Sequence, residues 1–512
     1  MTEPVLLPGP HPYRRHEYAP MLTVNSTTPI EIARQLLNII VSDHDRMKRV
    51  DMYIHGFHDD PYMPDRADEE YKLLARRAVS NWIPLIIGTP CQAMYVDGFR
   101  RANSAETEKD SKGQPRVTPT DQTAEWDHWQ RSRLDARQLA IHRGALAYGH
   151  SFALTEMGPD GRTYTKGLSA MRTSAVFEDP GNDDVPYAAL TITQYPKTDN
   201  KPGKALMWDS TYVYEVSFKS LHDLKKGLTV SAGPAHGAEE CPVTRFTASV
   251  DLEGRTVGVV EPMIPLQNRI NQTVFDLLVA QTYGSFQVRT VTGMVPPNQI
   301  DPETGDEILD AYGQPIPVPI NFNARRFMFA EDHEAKFGSL QGTALGGYIE
   351  SIDMSIRHLA AVSQTPPHYL LGQIANLSAE ALQAAETALS RKVEEFKHSF
   401  GESWERVFRL SAQMEGNAAS ANDMHGEVVW RDMENKSLAQ SADALGKMAE
   451  ALGIPKRGLW KRVPNATERE IQEWEDLADQ EPDVLLADAL TRATPQSSTN
   501  TRTRGNLEPV VA

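Results

Sequence analysis

Cysteine is nearly missing from this chain: Cys91 and Cys241 are the only two in 512 residues. Each adjoins a proline, neither belongs to a C-x-x-C pair, and no histidine spacing suits zinc, which excludes a disulfide framework and a zinc module. Two buried free thiols are expected, consistent with assembly in a reducing cytoplasm. No run of 18 apolar residues occurs, so no membrane-spanning helix is predicted. Met1 to Pro20 is rich in proline and carries no apolar stretch, so it does not read as a signal peptide. Positive charge is in deficit, with 52 Lys and Arg against 69 Asp and Glu and a formal net charge of -17. That balance disfavours gripping nucleic acid by neutralising phosphates, and it does not exclude a protein past which nucleic acid slides.

The motifs of chemistry are missing too. There is no G-x-x-x-x-G-K-[ST] to cradle a triphosphate, no G-x-G-x-x-G after a strand, no H-E-x-x-H and no G-x-S-x-G. The acidic turn Asp301-Pro-Glu-Thr-Gly-Asp306 superficially resembles a calcium loop, but it lacks alternating oxygen ligands and a terminal glutamate, so a solvated hairpin is the expectation. His368 has no carboxylate or nucleophile near it in sequence and reads as a loop-exposed histidine. Trp126 and Trp129, three apart on a helix, read as core packing rather than a stacking platform. No carboxylate pair stands out as a catalytic dyad. Neither an enzyme nor a cofactor is supported.

What is present is a long helical pattern. Leu382, Ala385, Leu389, Val393, Phe396, Phe400, Trp404, Val407 and Leu410 recur in steps of three and four and share one helix face. Ser378 is the expected N-cap and Gly416-Asn417 the expected end. The rod of about 38 residues would measure roughly 57 Å, with Gly401 inviting a bend. An earlier helix carries Leu345, Ile349, Ile352, Ile356, Leu359 and Val362 and stops at Thr365-Pro366-Pro367, because a residue before proline is pushed out of the helical region. A proline-broken loop of about 14 residues, with Gln364, His368, Tyr369, Gln373 and Asn376, joins the two. Loops of that length are usually functional or disordered.

Elsewhere, Pro29 to Met47 reads as a helix capped by Thr27 or Thr28, Asp65 to Ser80 as an amphipathic helix, and Ala102 to Pro119 as a mobile surface loop. Asp121 to Tyr148 reads as one helix. Strands are predicted at 151–156, 188–194, 211–218, 244–250 and 256–260, with hairpin turns at 158–161 and 251–254. Glu261 to Tyr283 is helical, and Phe286 to Phe329 is a strand-and-turn insertion, so the helices on either side of it are expected to run antiparallel. Arg325-Arg326 closes the insertion, as a surface salt-bridge pair or as a contact to a neighbour or phosphate. A short strand at 428–430 and helices at 437–452 and 466–477 follow. The tail from Glu481 is expected to be disordered. The fold class is α+β.

The segments Gln267-Asn-Arg-Ile-Asn-Gln-Thr-Val-Phe-Asp-Leu-Leu-Val-Ala280, Ala335-Lys-Phe-Gly338, His358-Leu-Ala-Ala-Val-Ser-Gln-Thr-Pro-Pro-His-Tyr-Leu-Leu-Gly372 and Asn376-Leu-Ser-Ala-Glu-Ala-Leu382 carry a resemblance. So do Asn81-Trp82, Val96-Asp-Gly-Phe99, Trp129-Gln130, Leu134-Asp135 and Trp430-Arg-Asp432. In these, and in the order of its elements, the chain resembles the SPP1-type portal proteins of tailed bacteriophages of actinobacteria, from about residue 30 to 480.

The resemblance implies a portal fold: an α/β wing at 1–260, stem helices at 261–285 and within 331–363, a small β-containing clip at 286–330, a tunnel loop at 364–377, a long kinked spine helix at 378–415, a helical crown at 416–480 and a tail at 481–512. It implies a dodecameric ring at one capsid vertex through which double-stranded DNA is packaged and ejected. The implied partners are the major capsid protein and scaffold, the terminase large subunit and the head–tail adaptor, in the virion and, during assembly, the host cytoplasm. It places Gln364, His368, Tyr369, Gln373 and Asn376 at the DNA channel. Arg289, Asp301, Glu303, Asp306, Arg325 and Arg326 fall on the docking clip, and Gln267, Arg269, Asn271 and Arg357 on the stem. The competing expectations are another structural virion protein, such as an adaptor or minor head protein, or a packaging enzyme.

Overall fold

The computed structural model describes residues 23–63, 69–101, 108–109, 115–116, 124–197, 201–284, 289–292, 298–316, 336–339, 344–372, 379–431, 438–460, 462–464 and 466–480. The predicted tail from Glu481 and most of the 102–119 loop lie outside them. The described chain is a mixture of helix and sheet, as the α+β expectation required. It divides into two compact units, one made of residues 1–44, 90–257 and 393–512, the other of 45–89 and 258–392.

In chain order the elements begin with α1 (Pro29–Ile54), α2 (Glu69–Arg77), α3 (Ile83–Gln92) and β1 (Val96–Arg100). Two short strands, β2 (Glu108–Lys109) and β3 (Pro115–Arg116), precede α4 (Ala124–Arg131) and α5 (Leu134–Tyr148). Eight strands follow: β4 (His150–Met157), β5 (Thr163–Leu168), β6 (Thr173–Val176), β7 (Ala188–Gln194), β8 (Gly203–Trp208), β9 (Tyr212–Phe218), β10 (Thr229–Ala235) and β11 (Val243–Thr247). Then come α6 (Ile264–Gly284), β12 (Arg289–Thr292), β13 (Lys336–Ser339), α7 (Gly346–Ser363), α8 (Pro367–Leu371) and α9 (Ala379–Met414). The last elements are α10 (Ala418–Ala421), β14 (Glu427–Trp430), α11 (Leu438–Leu452), α12 (Lys456–Trp460) and α13 (Glu468–Gln480).

The first unit is organised around a five-stranded antiparallel sheet of order β10-β9-β8-β7-β6 and a three-stranded sheet of order β11-β4-β5. Strand periodicity of two sends Ala188, Leu190 and Ile192 of β7 to one face and Ala189 to the other. The first face packs on Ile32, Ala33, Leu36, Leu37 and Ile40 of α1. The second joins Phe152, Leu154 and Val243 of the smaller sheet. Both faces are thus dry. The turn at 158–161 links β4 to β5 as expected, and β14 pairs antiparallel with β1.

The long helix serves this unit in a specific way. β11 is an edge strand, and its outward carbonyls need partners. Ser399 donates to the Thr247 carbonyl at 2.7 Å, Ser403 to that of Arg245 at 2.9 Å, and Arg406 to that of Val243 at 2.8 Å. Steps of four and three along the helix match steps of two along the strand. The helix thereby caps the sheet edge residue by residue. Its apolar stripe is buried as predicted from Leu389 through Val393, Phe396, Phe400, Trp404, Val407 and Leu410. Trp404 meets Trp129 edge-on at 4.9 Å and Phe246 at 4.7 Å, and its Nε1 donates to His142 Nε2 at 2.9 Å. The helix is continuous through Gly401.

Several expectations need correction. The single helix over 121–148 is two, broken at Arg133, whose φ of 54° is left-handed. Asp135 holds that corner by accepting from Trp129 Nε1 at 2.7 Å. The predicted strand at 256–260 is only an isolated bridge from Val250 to Thr256. In the two larger sheets β6, β8 and β10 were not anticipated, and β5 was signalled only by the hairpin turn before it. Among the described residues the insertion does not close by 330: β12 pairs antiparallel with β13, so its base extends to Ser339. The face assigned to α7 is also shifted. Ile356 and Leu359 are buried, but with Ser355, Ala360 and Ser363, while Ile349 and Val362 are exposed.

Candidate functional site

The second unit holds the residues singled out as functional. Its two long helices, α6 and α7, pack together and run antiparallel. Arg269, near the start of α6, donates to His358 Nδ1, near the end of α7, at 3.0 Å, while the β12–β13 pair joins their other ends.

The start of α6 is held by a polar clamp. Gln267 is fully buried and bonds both sides of one loop. Its Oε1 accepts from the Trp82 amide at 3.1 Å and its Nε2 donates to the Ser80 carbonyl at 2.6 Å. Asn271 accepts from the Ser80 amide at 3.2 Å and bonds His58 Nδ1 at 2.8 Å. Between them Asn268 accepts from the Tyr53 hydroxyl at 2.7 Å, and Asp59 receives Arg49 at 2.8 Å. Burial pushes the Tyr53 hydroxyl up to about 12, so it stays a neutral donor. Gln267 and Asn271 therefore act inside the unit, satisfying buried backbone groups that would each cost about 1–3 kcal/mol unpaired. Of the four predicted stem residues, only Arg269 and Arg357 are exposed.

The proline turn follows α7. Gln364 is left-handed (φ 54°) and closes the helix, its amide and that of Thr365 both reaching the Ala360 carbonyl. This is the pattern of a Schellman-type ending, with glutamine where glycine is usual. Pro366 is extended, and Pro367 opens α8 at the first helical position, where its missing N–H costs nothing. Gly372, left-handed at φ 65°, ends α8. The expected 14-residue loop is thus partly a short helix. His368 is not loop-exposed but buried on that helix, edge-on to Tyr369 and with Nε2 3.9 Å from Glu386 of α9. Tyr369 is 41% exposed, and its hydroxyl donates to the same Glu386 at 3.3 Å; partial desolvation of that hydroxyl and then the carboxylate raise its pKa. Lys392 of α9 donates to the Ser363 carbonyl at 2.8 Å. Gln373 and Asn376 lie outside the described residues.

In the insertion, Asp301 sits in a turn. Its amide meets the Asp306 carbonyl at 2.9 Å and its carboxylate accepts from the Glu303 amide at 2.9 Å. This is the solvated hairpin expected, with Glu303 and Asp306 exposed. Arg289 lies opposite Ser339 in the β12–β13 register. Arg325 and Arg326 lie outside the described residues. Nothing in the sequence pointed to Glu386, Lys392, Asn268 or Tyr53 as partners, because each acts on a residue distant along the chain.

Cys91 and Cys241 are buried and free, and burial pushes their thiols to about 11 and 12, which leaves them protonated and unreactive. No helix among the described residues is long and apolar enough to cross a membrane.

Comparison with known proteins places the chain among the bacteriophage portal proteins. The family described as phage portal protein, SPP1 Gp6-like, matches residues 34–483, and the chain belongs to it. It is similar to a portal protein of Mycobacterium phage L5, 32% identical over 384 residues that cover 71% of each chain. It is also similar to one of Mycobacterium phage D29, 33% identical over 163 residues, where it spans 31% of that relative's length. The resemblance to actinobacteriophage portals read from the sequence is borne out.

Proposed function

We propose that this chain is one subunit of a twelve-membered ring at a single capsid vertex, through which double-stranded DNA enters and leaves the head. It has no chemistry of its own. The observation that carries this reading is the antiparallel pair α6–α7 ending in a conformationally preset proline turn beside α9. On this reading 1–260 is the wing, 261–285 and the helix within 331–363 the stem, 364–377 the tunnel loop, 378–415 the spine and 416–480 the crown. The clip is the insertion, extended here to Ser339. It meets the terminase large subunit and later the head–tail adaptor, while the major capsid protein and scaffold surround the ring in the assembling virion.

Twelve copies would carry a formal charge of about -200, which favours passage of DNA over capture. Neutral donors such as the Gln364 side chain give phosphates weak, exchangeable contacts without sequence preference. Deleting residues 364–377 is expected to leave ring assembly intact and to impair packaging or retention of DNA. Packaging at the wild-type level by that deletion overturns the tunnel-loop assignment.

A further inference from the structure

The turn between α7 and α8 is gripped at two points by one helix. Lys392 donates to the Ser363 carbonyl at 2.8 Å. That carbonyl belongs to the last turn of α7, where helix carbonyls lack partners and the helix dipole is negative, so an ammonium group is stabilising there on both counts. Six residues earlier on α9, Glu386 accepts from the Tyr369 hydroxyl at 3.3 Å and lies 3.9 Å from His368 Nε2. The gripped piece is bracketed by two left-handed residues, Gln364 and Gly372. Left-handed glutamine costs of order 1 kcal/mol, so the turn is held in a geometry that its own backbone does not prefer. Ser363 and Thr365 bond to each other at 3.0 Å inside it, and both are buried.

We propose that Lys392 and Glu386 are positioning residues that clasp Ser363–Gly372 to α9 and so set where the chain departs toward residue 373. This deepens the tunnel-loop reading and rests on it for its consequence. A clasp made by one side chain at each end can open without unpacking either helix. Movement of α9 relative to α7 would then be passed directly to the loop. Lys392 is the stronger point, since its bond is shorter, 2.8 Å against 3.3 Å.

The test uses the full-length ring, with hydrogen exchange read at the amides of Thr365, Tyr369 and Gly372, which bond to Ala360, Pro366 and His368. Lys392→Met is expected to speed exchange at these amides about tenfold, as loss of one charge-assisted bond implies. The amides of α9 around Trp404 should be unaffected, and Lys392→Arg should restore slow exchange. Tyr369→Phe should give a smaller, local increase. Unchanged exchange in Lys392→Met, or an increase spread equally over α9, overturns the clasp. In assembled particles Lys392→Met should form rings and begin packaging but lose DNA faster. Faster local exchange with DNA held as in wild type leaves the clasp standing and removes the tunnel-loop reading beneath it.

Discussion

The two units of this chain are stabilised by different means. The first buries aromatic side chains against two sheets, and two of its histidines are buried with them: His142 stacks on Phe400 at 4.9 Å and His128 lies between Thr163 and Thr165. The second holds α6 through buried amides and leaves apolar side chains in the open, with Ile349 at 53%, Met354 at 53% and Val362 at 57% exposed. A helix pair with bare apolar residues and an internally satisfied polar end is what a ring subunit is expected to offer to adjacent copies.

Acid should separate the two kinds of stabilisation most sharply. Burial pushes the His128 imidazole down to about 4 and that of His142 to about 3. Both are neutral when folded, whereas in the unfolded chain each gains a proton near 6.5. The unfolded state therefore binds more protons between 6.5 and about 3, and stability falls as the pH drops through that window. The loss is several kcal/mol in all, roughly 3 from His128. Denaturant titrations from pH 7 to 4 should show the first unit losing stability with falling pH, and His142→Phe should flatten part of the slope. A pH-independent midpoint would contradict the buried neutral imidazoles.

Next in size, Trp404→Ala should cost about 3–5 kcal/mol, read as a fall in the denaturation midpoint, because it empties a fully packed site and strands His142 Nε2. Asn271→Leu attacks the other unit. It leaves the Ser80 amide without its acceptor and should cost about 2 kcal/mol, with faster exchange at Ser80 and Trp82. Ile349→Ser and Val362→Ser should change the stability of the isolated chain by less than about 0.5 kcal/mol yet weaken its self-association. A large loss in the monomer would mean that these side chains are packed within the chain.

What could be read from the sequence follows the same division. The stripe from Leu389 to Leu410 was legible because a helix of that length repeats its period many times. The strands Thr163–Leu168, Gly203–Trp208 and Thr229–Ala235 were not, since TYTKGL, GKALMW and TVSAGPA mix glycine, proline or charge with too few apolar positions to show a period of two. Their place comes from register with neighbours. The break at Arg133 depends on Asp135 and Trp129 meeting, and no local signal marks it. At the candidate site the proline turn was visible and the residues that grip it were not. No local signal marks Lys392, and only the fold brings it to Ser363, 29 positions earlier. Gln267 and Asn271 entered as stem residues through the resemblance alone, and their burial depends on a loop about 190 residues away.

Single-particle imaging of the purified full-length protein at a resolution that traces α7 and α8 addresses the assignment directly. The expected result is a closed ring in which Ser363–Gly372 of every subunit faces the central hole. Isolated monomers, or a ring carrying that turn on its outer rim, would contradict it.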